Sequence, residues 1–351
     1  MDTLAKILQK AIAERVFPGC VLGLIHSEGT QTVEAFGTSQ FEGPESFAVK
    51  PDTVYDLASV TKSIPVGTLT LKRVLEGALD LEQSVCEILP DFAPSHRKDA
   101  KVWHLLTHSL DYRFPMSSLK DLPAEQILQR LYTHTYAMPP GTLFNYGNAC
   151  SVILGKVLEQ IGCACLEDQA REAFFEPLGM TDSLWNPLGK IPIERIVPTE
   201  DCPWRGQVMR GVVHDESAYA LQCMGAVGSA GMFSTVPDLL RFVRMLLQDG
   251  ELDGRRVMPP GVLGLLQKNR LSHLEGQGTA LGWELCNRRF MGSKASESAF
   301  GKTGFTGTCI ICDPMQRKAM VLLSNFTWPK REPTVERIYE IRRTLADQFF
   351  G

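Results

Sequence analysis

Residues 52–64 read Asp-Thr-Val-Tyr-Asp-Leu-Ala-Ser-Val-Thr-Lys-Ser-Ile, and this stretch carries the first indication of both fold and chemistry. An extended run up to Leu57 is followed by apolar residues at helical spacing, which predicts a helix over residues 60–76. Ser59 would lie at the start of that helix, with Lys62 one turn away on the same face. Desolvation lowers the pKa of a lysine, so Lys62 could act as the base that activates the Ser59 hydroxyl.

The Ser-x-x-Lys spacing alone is weak, because about one or two such pairs are expected by chance in a chain of this length. The chain contains three, and their serines are Ser59, Ser95 and Ser117. The second and third lie in polar, loop-like sequence, whereas the first has apolar sequence on both sides. The surrounding sequence therefore favours Ser59 and Lys62 as the catalytic pair.

Composition excludes several classes of partner. The formal net charge of the 351 residues is −4 without a basic run, which argues against a nucleic-acid partner. No stretch has the length of a membrane span. The N-terminal sequence lacks the apolar block of a signal peptide, so we expect a cytoplasmic protein, unless an upstream leader has been removed.

The ten cysteines fit that compartment as reduced thiols. The close pairs are Cys163 with Cys165 and Cys309 with Cys312. No second pair stands at zinc-finger spacing, so we interpret these cysteines as small buried hydrophobic residues and expect no metal site. Cys309 and Cys312 would point to opposite faces of a strand.

The order of elements predicts an α+β fold. Strand signals at 20–25 and 32–36 precede a mainly helical middle, and further strand signals follow at 280–286, 299–303, 307–312 and 319–324. Amphipathic helices are predicted at 2–17 and 333–349. We expect one antiparallel sheet built from residues 1–57 and 275–351 and flanked by the terminal helices, with residues 58–274 as a large inserted helical domain. The predicted helices of that insertion, besides 60–76, are 101–108, 123–133, 148–161, 166–175 and 237–247.

The second motif is Tyr146-Gly147-Asn148, just before a predicted helix. A phenol is useful as a base near neutral pH only if neighbouring cations lower its pKa, and Lys62 with one more cation would do so. The alternative is a tyrosine packed over a loop, with Asn148 capping the helix.

The third motif is Lys302-Thr303-Gly304, in a strand pattern that holds three glycines between residues 300 and 308. Glycines in a strand often mark the close approach of a ligand. Such an edge can aim the N–H of Phe305, together with that of Ser59, at a reacting carbonyl and so form an oxyanion hole. The alternative is a bulged hairpin.

Serine-x-x-lysine, tyrosine-x-asparagine and lysine-threonine-glycine follow one another in this order, and the chain thereby resembles the serine penicillin-binding-protein-like family. That family includes class C β-lactamases, D-alanyl-D-alanine carboxypeptidases and family VIII esterases. Further segments share the resemblance: 56–62, 104–108, 175–180, 228–234 and 304–308. It implies a β-lactamase/transpeptidase-like fold with the active site between the sheet domain and the helical domain.

The resemblance also implies residue roles. Ser59 would be the acylated nucleophile, Lys62 its proton partner, and Tyr146 the group that protonates the leaving group and later activates water. Asn148 would hold the Lys62 ammonium and the substrate amide. This chemistry needs no cofactor and no metal.

Lys302 and Thr303 would supply positive potential beside Tyr146 and could bind a substrate carboxylate, with Gly304 leaving room for the substrate. That lysine is typical of β-lactamases and carboxypeptidases, whereas the missing export signal argues against cell-wall chemistry. Weighing both, we expect a β-lactamase-related carboxylesterase that takes a small-molecule ester. The alternatives are a class C-type β-lactamase, a D-alanyl-D-alanine carboxypeptidase acting on a short D-amino-acid peptide, and a catalytically silent penicillin-binding or scaffold protein.

Two departures from the family pattern lie beside the motifs. Glycine stands at position 147, where serine or alanine is usual, and the family's Thr-His-Thr-Ser-Gly-Leu is shortened to the sequence at 107–111.

Two other motifs in the chain would indicate a different kind of site. Gly228-Ser229 is reminiscent of a nucleophile elbow but lacks its first glycine, so a tight glycine turn is predicted. His104 and His108 have the spacing of a zinc pair but lack a glutamate base between them, which favours a packed helix face.

Overall fold

The structure, a computed structural model, describes residues 2–276 and 278–351 and is built around a six-stranded sheet. Every neighbouring pair of strands in this sheet is antiparallel. In spatial order the strands are Glu284–Leu285, Phe300–Thr303, Cys309–Asp313, Lys318–Ser324, Gly19–Ile25 and Gln31–Gly37.

Smaller sheets and many helices form the rest of the molecule. A three-stranded sheet consists of Tyr55–Asp56, Met232–Ser234 and Leu184–Trp185, and two hairpins pair Pro198–Cys202 with Gln207–Arg210 and Glu251–Leu252 with Arg255–Arg256. The α-helices are Asp2–Ala13, Thr68–Leu75, Val85–Ile88, Val102–Leu106, Ala124–Tyr132, Ala149–Gly162, Leu166–Ala170, Glu176–Leu178, Glu216–Leu221, Val236–Leu247, Val262–Leu266, Arg288–Met291 and Glu336–Phe350. Shorter helical turns are Ala58–Lys62, Ser63–Gly67, Met116–Leu119, Arg171–Phe175, Ile193–Arg195 and Gln222–Met224.

Helices cover both faces of the large sheet. Leu22 and Leu24 point to one face, where they pack in a core with the terminal helices Asp2–Ala13 and Glu336–Phe350. Val21 and Ile25 point to the other face and join the core that extends into the helical region. This alternation follows from the two-residue period of a strand, and it explains why the strand Gly19–Ile25 is buried at every position.

The predicted α+β class and the sheet built from both ends of the chain are confirmed. The helix predicted over 60–76 is wrong in detail, because Ile64 leaves the helical region with φ −115° and ψ 111°. The signal for this break was Pro65, since a proline disfavours helical geometry at the residue before it. The strand predicted at 280–286 is reduced to Glu284–Leu285. The exact division into residues 1–57 with 275–351 and residues 58–274 stays a prediction.

The cysteine interpretation is confirmed for one close pair and wrong for the other. Cys309 and Cys312 are buried on opposite faces of their strand. Burial raises the pKa of the Cys309 thiol to about 12. Cys163 and Cys165 are exposed instead, because they lie where the helix Ala149–Gly162 has just ended.

Within residues 2–276 and 278–351, no single helix has the length and apolar composition of a membrane span. The segments Ala149–Gly162 and Leu166–Leu178 satisfy those criteria only as a pair, and they are bent by 78° at the break between them.

Gly23 allows the helix Val236–Leu247 to pack directly on the strand Gly19–Ile25. An alanine Cβ at Gly23 would lie 2.3 Å from Val236 Cγ1 and 3.0 Å from Leu240 Cδ1. We therefore expect Gly23→Ala to lower the free energy of unfolding by about 1–3 kcal/mol, the usual cost of overpacking a core. Urea unfolding monitored by circular dichroism measures this change in the free energy of unfolding.

Gly264→Ala is the matched control, because its Cβ would contact nothing within 4 Å and the residue lies in the helix Val262–Leu266. It should leave stability unchanged or raise it by up to about 1 kcal/mol. Adding Val236→Ala to Gly23→Ala should recover part of the loss. An unfolding free energy for Gly23→Ala equal to that of the wild type would contradict the packing argument.

Candidate active site

The nucleophile turn is shaped by a buried carboxylate that the sequence analysis did not single out. Asp56 Oδ1 accepts a hydrogen bond from the N–H of Ala58 at 2.7 Å, and its Oδ2 accepts one from the N–H of His214 at 2.7 Å. Ala58 has a positive φ of 47°, which is unusual for a residue with a side chain. Asp56 therefore stabilises the bend that presents Ser59, and it ties this bend to a distant loop. Aspartate two residues before a turn is a recognisable signal for such a bond.

Ser59 and Lys62 are brought together as the spacing predicted. Lys62 Nζ donates to Ser59 Oγ at 2.9 Å and to the carbonyl oxygen of Ser229 at 2.7 Å. Burial lowers the pKa of the Lys62 ammonium, although the nearby Tyr146 and Asp215 partly oppose this shift. A lysine with a lowered pKa next to a serine hydroxyl is suited to accept its proton.

Ser229 itself lies in a turn, as its glycine-rich sequence predicted. Its contribution to the site is the backbone carbonyl that orients Lys62, and no sequence signal indicated this.

Tyr146 completes the cluster between two ammonium groups. Lys302 Nζ lies 4.2 Å and Lys62 Nζ 5.5 Å from the centroid of the Tyr146 ring. Burial of the phenol tends to raise its pKa, but Lys302, Lys62 and a hydrogen bond with Ser59 outweigh it, so the net shift is downward. One edge of the ring remains open to the cleft, and the side chain is 45% exposed. The three motifs thus meet in one place.

Lys302 is a buried charge with a dedicated partner. Its Nζ lies 3.0 Å from Glu284 Oε1, and the side chain is only 3% exposed. Burial by itself lowers the pKa of Lys302, but Glu284 and Tyr146 outweigh it and hold the ammonium in its charged form. Lys302 therefore supplies positive potential beside Tyr146, whereas its ammonium has little access to the cleft.

Asn148 contacts a carboxylate rather than Lys62. Its Nδ2 donates to Asp215 Oδ2 at 2.8 Å and to Ser217 Oγ at 2.7 Å. Burial tends to raise the pKa of Asp215, but Lys62 and the hydrogen bonds from Ser217, Ala218 and Asn148 lower it overall. Asp215 is thus the anion that balances Lys62. The predicted contact of Asn148 with a substrate amide stays a prediction.

Asp215 was missed at the sequence level, although it stands at the N-cap of the helix Glu216–Leu221. Aspartate is favoured at that position for local reasons, which hid its second role.

The Lys-Thr-Gly strand ends in a turn that needs glycine. A Cβ on Gly304 would lie 2.0 Å from Thr308 Oγ1 and 2.4 Å from the Leu57 carbonyl oxygen. Thr303 Oγ1 lies 3.3 Å from the Tyr339 hydroxyl. The turn therefore packs against the segment that precedes Ser59, and Ser59 lies in the first turn of its helical segment, where backbone N–H groups lack intrahelical acceptors. The oxyanion-hole roles of Ser59 and Phe305 stay predictions.

His108 takes part in the site, contrary to its interpretation as part of a packed helix face. It follows the end of the helix Val102–Leu106, has a positive φ of 53°, and its ring centroid lies 4.8 Å from that of Tyr146. Burial, together with Lys302 and Lys62, lowers the pKa of His108 well below its ordinary value. The imidazole is therefore neutral and adds no third cation beside the phenol.

A cavity of about 910 Å³ opens in front of this cluster. Its apolar lining includes Tyr112, Phe114, Pro115, Met116 and Phe144. It is also lined by Val335, Ile338 and Tyr339 of the C-terminal region.

Comparison with known proteins agrees with this architecture. A family model described as Beta-lactamase matches residues 4–343. A putative D-alanyl-D-alanine carboxypeptidase of Escherichia coli (strain K12) is 28% identical over 304 residues, which cover 78% of this chain and 69% of that protein. An N-acetylmuramyl-L-alanine amidase of Bacillus subtilis (strain 168) is 26% identical over 368 residues, covering 95% of this chain and 82% of that protein.

Among solved structures, EstCE1, a hydrolase with promiscuous acyltransferase activity, has a similar fold. The TM-score is 0.77 at 22% sequence identity, and the match covers 99% of this chain and 98% of that one.

The two ammonium groups around Tyr146 lead to a prediction of how the reactivity of Ser59 depends on pH. In Lys302→Met the pKa of Tyr146 should rise, because the nearer of its two neighbouring positive charges is lost, and the pKa of Lys62 should rise with it. The base form then exists only at higher pH. We expect the ascending limb of the pH profile for labelling of Ser59 by a fluorophosphonate to move to higher pH, with a rate near pH 7 lowered about 10²-fold.

Lys101→Met removes an exposed ammonium that pairs with Glu82 far from the cleft, and it should keep the wild-type profile. A Lys302→Met protein that is folded and labels with an unshifted profile would show that Lys302 does not set the basicity of the site.

Proposed function

The chain belongs to the Beta-lactamase family and is a serine hydrolase, and from this premise we propose that it is a carboxylesterase that acts on uncharged esters through an acyl-enzyme. Ser59 is the nucleophile in this proposal, with Lys62 and Tyr146 as its proton-transfer groups. The cluster of hydroxyl, ammonium and phenol described above supports these roles.

The positions of these groups support the following reaction. Ser59 Oγ attacks the ester carbonyl while its proton passes to the Lys62–Tyr146 pair, and the carbonyl oxygen becomes an oxyanion facing the N–H groups of Ser59 and Phe305. Collapse of this intermediate expels the alcohol, which takes its proton from Tyr146, and leaves the acyl group on Ser59. Water then loses a proton to Tyr146 and attacks the acyl carbon. The second collapse returns the proton to Ser59 Oγ and releases the carboxylic acid.

The buried ion pair of Lys302 with Glu284 is the observation that favours an ester over a β-lactam as the substrate. A cation that recognises a substrate carboxylate must be able to reach it, whereas Lys302 is 3% exposed and already neutralised by Glu284. Pulling it away would leave Glu284 as a half-buried, unpaired charge, which is costly. The apolar side chains in the cavity lining offer a surface for an uncharged acyl group.

A D-alanyl-D-alanine carboxypeptidase is the second candidate, and the name of the relative from Escherichia coli favours it. Arg289 lines the cavity and is 49% exposed at the side chain, so it offers a cation that could take a peptide carboxylate in place of Lys302. The cytoplasmic location expected from the N-terminal sequence stays a prediction.

Parallel assays separate these activities. We expect hydrolysis of p-nitrophenyl butyrate with a kcat/KM at least about 10²-fold above that for nitrocefin or a D-Ala-D-Ala peptide, because Lys302, the cation of the Lys-Thr-Gly motif, is buried against Glu284 and not accessible to their carboxylates. The acyl-enzyme should be visible by mass spectrometry after rapid quenching, with the added mass on the peptide that contains Ser59.

Ser59→Ala should abolish both turnover and adduct, whereas Ser95→Ala, which removes a serine with the same spacing to a lysine, should retain them. A higher rate for nitrocefin or the peptide would replace the esterase with one of the alternative hydrolases. An intact protein with no adduct from either a fluorophosphonate or a penicillin would support a catalytically silent scaffold.

A further inference from the structure

Arg342 is a buried arginine whose contacts do not include a paired carboxylate. It lies in the helix Glu336–Phe350 and is 2% exposed. Within the described part of the chain, its Nη2 donates to the carbonyl oxygens of Gly304 at 2.8 Å and Thr308 at 2.9 Å, and its guanidinium carbon lies 5.0 Å from the centroid of the Tyr339 ring. Burying a guanidinium without a close counter-ion costs free energy, so this position calls for an explanation beyond packing.

The two carbonyls that Arg342 contacts belong to the turn that follows the Lys-Thr-Gly strand. The N–H of Gly304 donates to the Thr308 carbonyl at 2.9 Å and closes the turn. On its other side, Thr306 Oγ1 donates to the Asp56 carbonyl at 2.7 Å, and Thr308 Oγ1 donates to the Leu57 carbonyl at 3.1 Å. The turn is therefore held between Arg342 and the residues directly before the nucleophile.

The contact with Gly304 acts on the predicted oxyanion donor through a single peptide group. The carbonyl of Gly304 and the N–H of Phe305 belong to the same planar unit, so fixing the direction of one fixes the direction of the other. A cationic donor on the carbonyl oxygen also withdraws electron density from the peptide, which makes its N–H a stronger donor. The N–H of Gly307 also donates to the Gly304 carbonyl, at 3.2 Å, and Arg342 is the one described side chain that does so.

We propose that Arg342 is a positioning residue of the oxyanion hole, which aims and polarises the Gly304–Phe305 peptide so that its N–H stabilises the tetrahedral intermediate at Ser59. This role rests on the proposed acyl-enzyme reaction. It explains why a charged residue is kept on the buried side of an amphipathic helix, between Ile338 and Leu345. It also gives the C-terminal helix a part in catalysis, although Arg342 touches no reacting atom.

The test asks whether Arg342 stabilises the transition state more than the bound substrate. In Arg342→Met, kcat for p-nitrophenyl butyrate should fall about 10-fold to 100-fold with KM nearly unchanged, a share of the 10²–10³ that one oxyanion donor contributes. The affinity for an alkylboronic acid, whose tetrahedral adduct on Ser59 resembles the intermediate, should weaken by a similar factor. Arg342→Lys should recover part of both losses, since an ammonium can donate to one of the carbonyls.

A direct readout of the geometry accompanies the kinetics. The ¹⁵N chemical shift of the Phe305 amide should move in Arg342→Met, because it responds to hydrogen bonding at the carbonyl of the same peptide. Arg343→Met removes a neighbouring exposed arginine and should leave this shift, kcat and the boronate affinity unchanged.

The proposal fails if folded Arg342→Met keeps the wild-type kcat and boronate affinity. It also fails if kcat and boronate affinity decrease only in proportion to a lowered Tm. It fails as well if KM rises by the same factor as the dissociation constant of the boronate. Either result would mark Arg342 as a purely structural residue. Should Arg342→Met not fold, Arg342→Lys decides by the same measurements. If the wild type does not hydrolyse the ester, the proposed function is refuted, while boronate affinity, measured without turnover, still tests Arg342.

Discussion

Two ammonium groups placed around one phenol are the arrangement on which the site depends. Lys62 and Lys302 lower the pKa of Tyr146, yet like charges at this separation repel each other and are costly to bury. The structure compensates with one carboxylate behind each lysine, Asp215 for Lys62 and Glu284 for Lys302. Each cation thus has a carboxylate partner in addition to the phenol, and both carboxylates also line the cavity. A neutral His108 against the ring keeps that balance intact.

Backbone contacts between the two halves of the molecule give this charge arrangement its geometry. Asp56 bonds both the turn before Ser59 and the loop at His214, while Thr306 and Thr308 bond the carbonyls of residues 56 and 57. The Lys-Thr-Gly turn, the nucleophile turn and the loop that carries Asp215 are thereby locked to one another. Catalytic groups that must hold their positions to within a fraction of an ångström benefit from such rigid support. In this site, much of the support comes from peptide groups rather than from the reactive side chains.

The same contacts bear on which substrates the cleft accepts. A lysine at position 302 suggests recognition of a carboxylate, but in the fold this lysine is buried against Glu284 and faces Tyr146. The accessibility of this lysine is a property of its particular environment and does not follow from the residue type. Arginines at the cavity, such as Arg289, are more accessible than Lys302. A substrate carboxylate bound by such an arginine would favour the peptidase alternative over the esterase proposal.

Local sequence determined the features that depend on short spacings. Ser59 and Lys62 meet because they are one helical turn apart, the strand residues alternate between two cores, and Pro65 marked a break that was overlooked. The resemblance of the motifs also placed Tyr146 and Lys302 at the site in advance. Tertiary structure alone decided that Asp215 balances Lys62, that the Ser229 carbonyl orients it, and that Asn148 turns to Asp215. Those partners lie dozens to hundreds of residues apart in sequence, and charge pairing and backbone hydrogen bonding over such separations leave no periodic signal. They are set by how the sheet, the helical region and the C-terminal helix pack together.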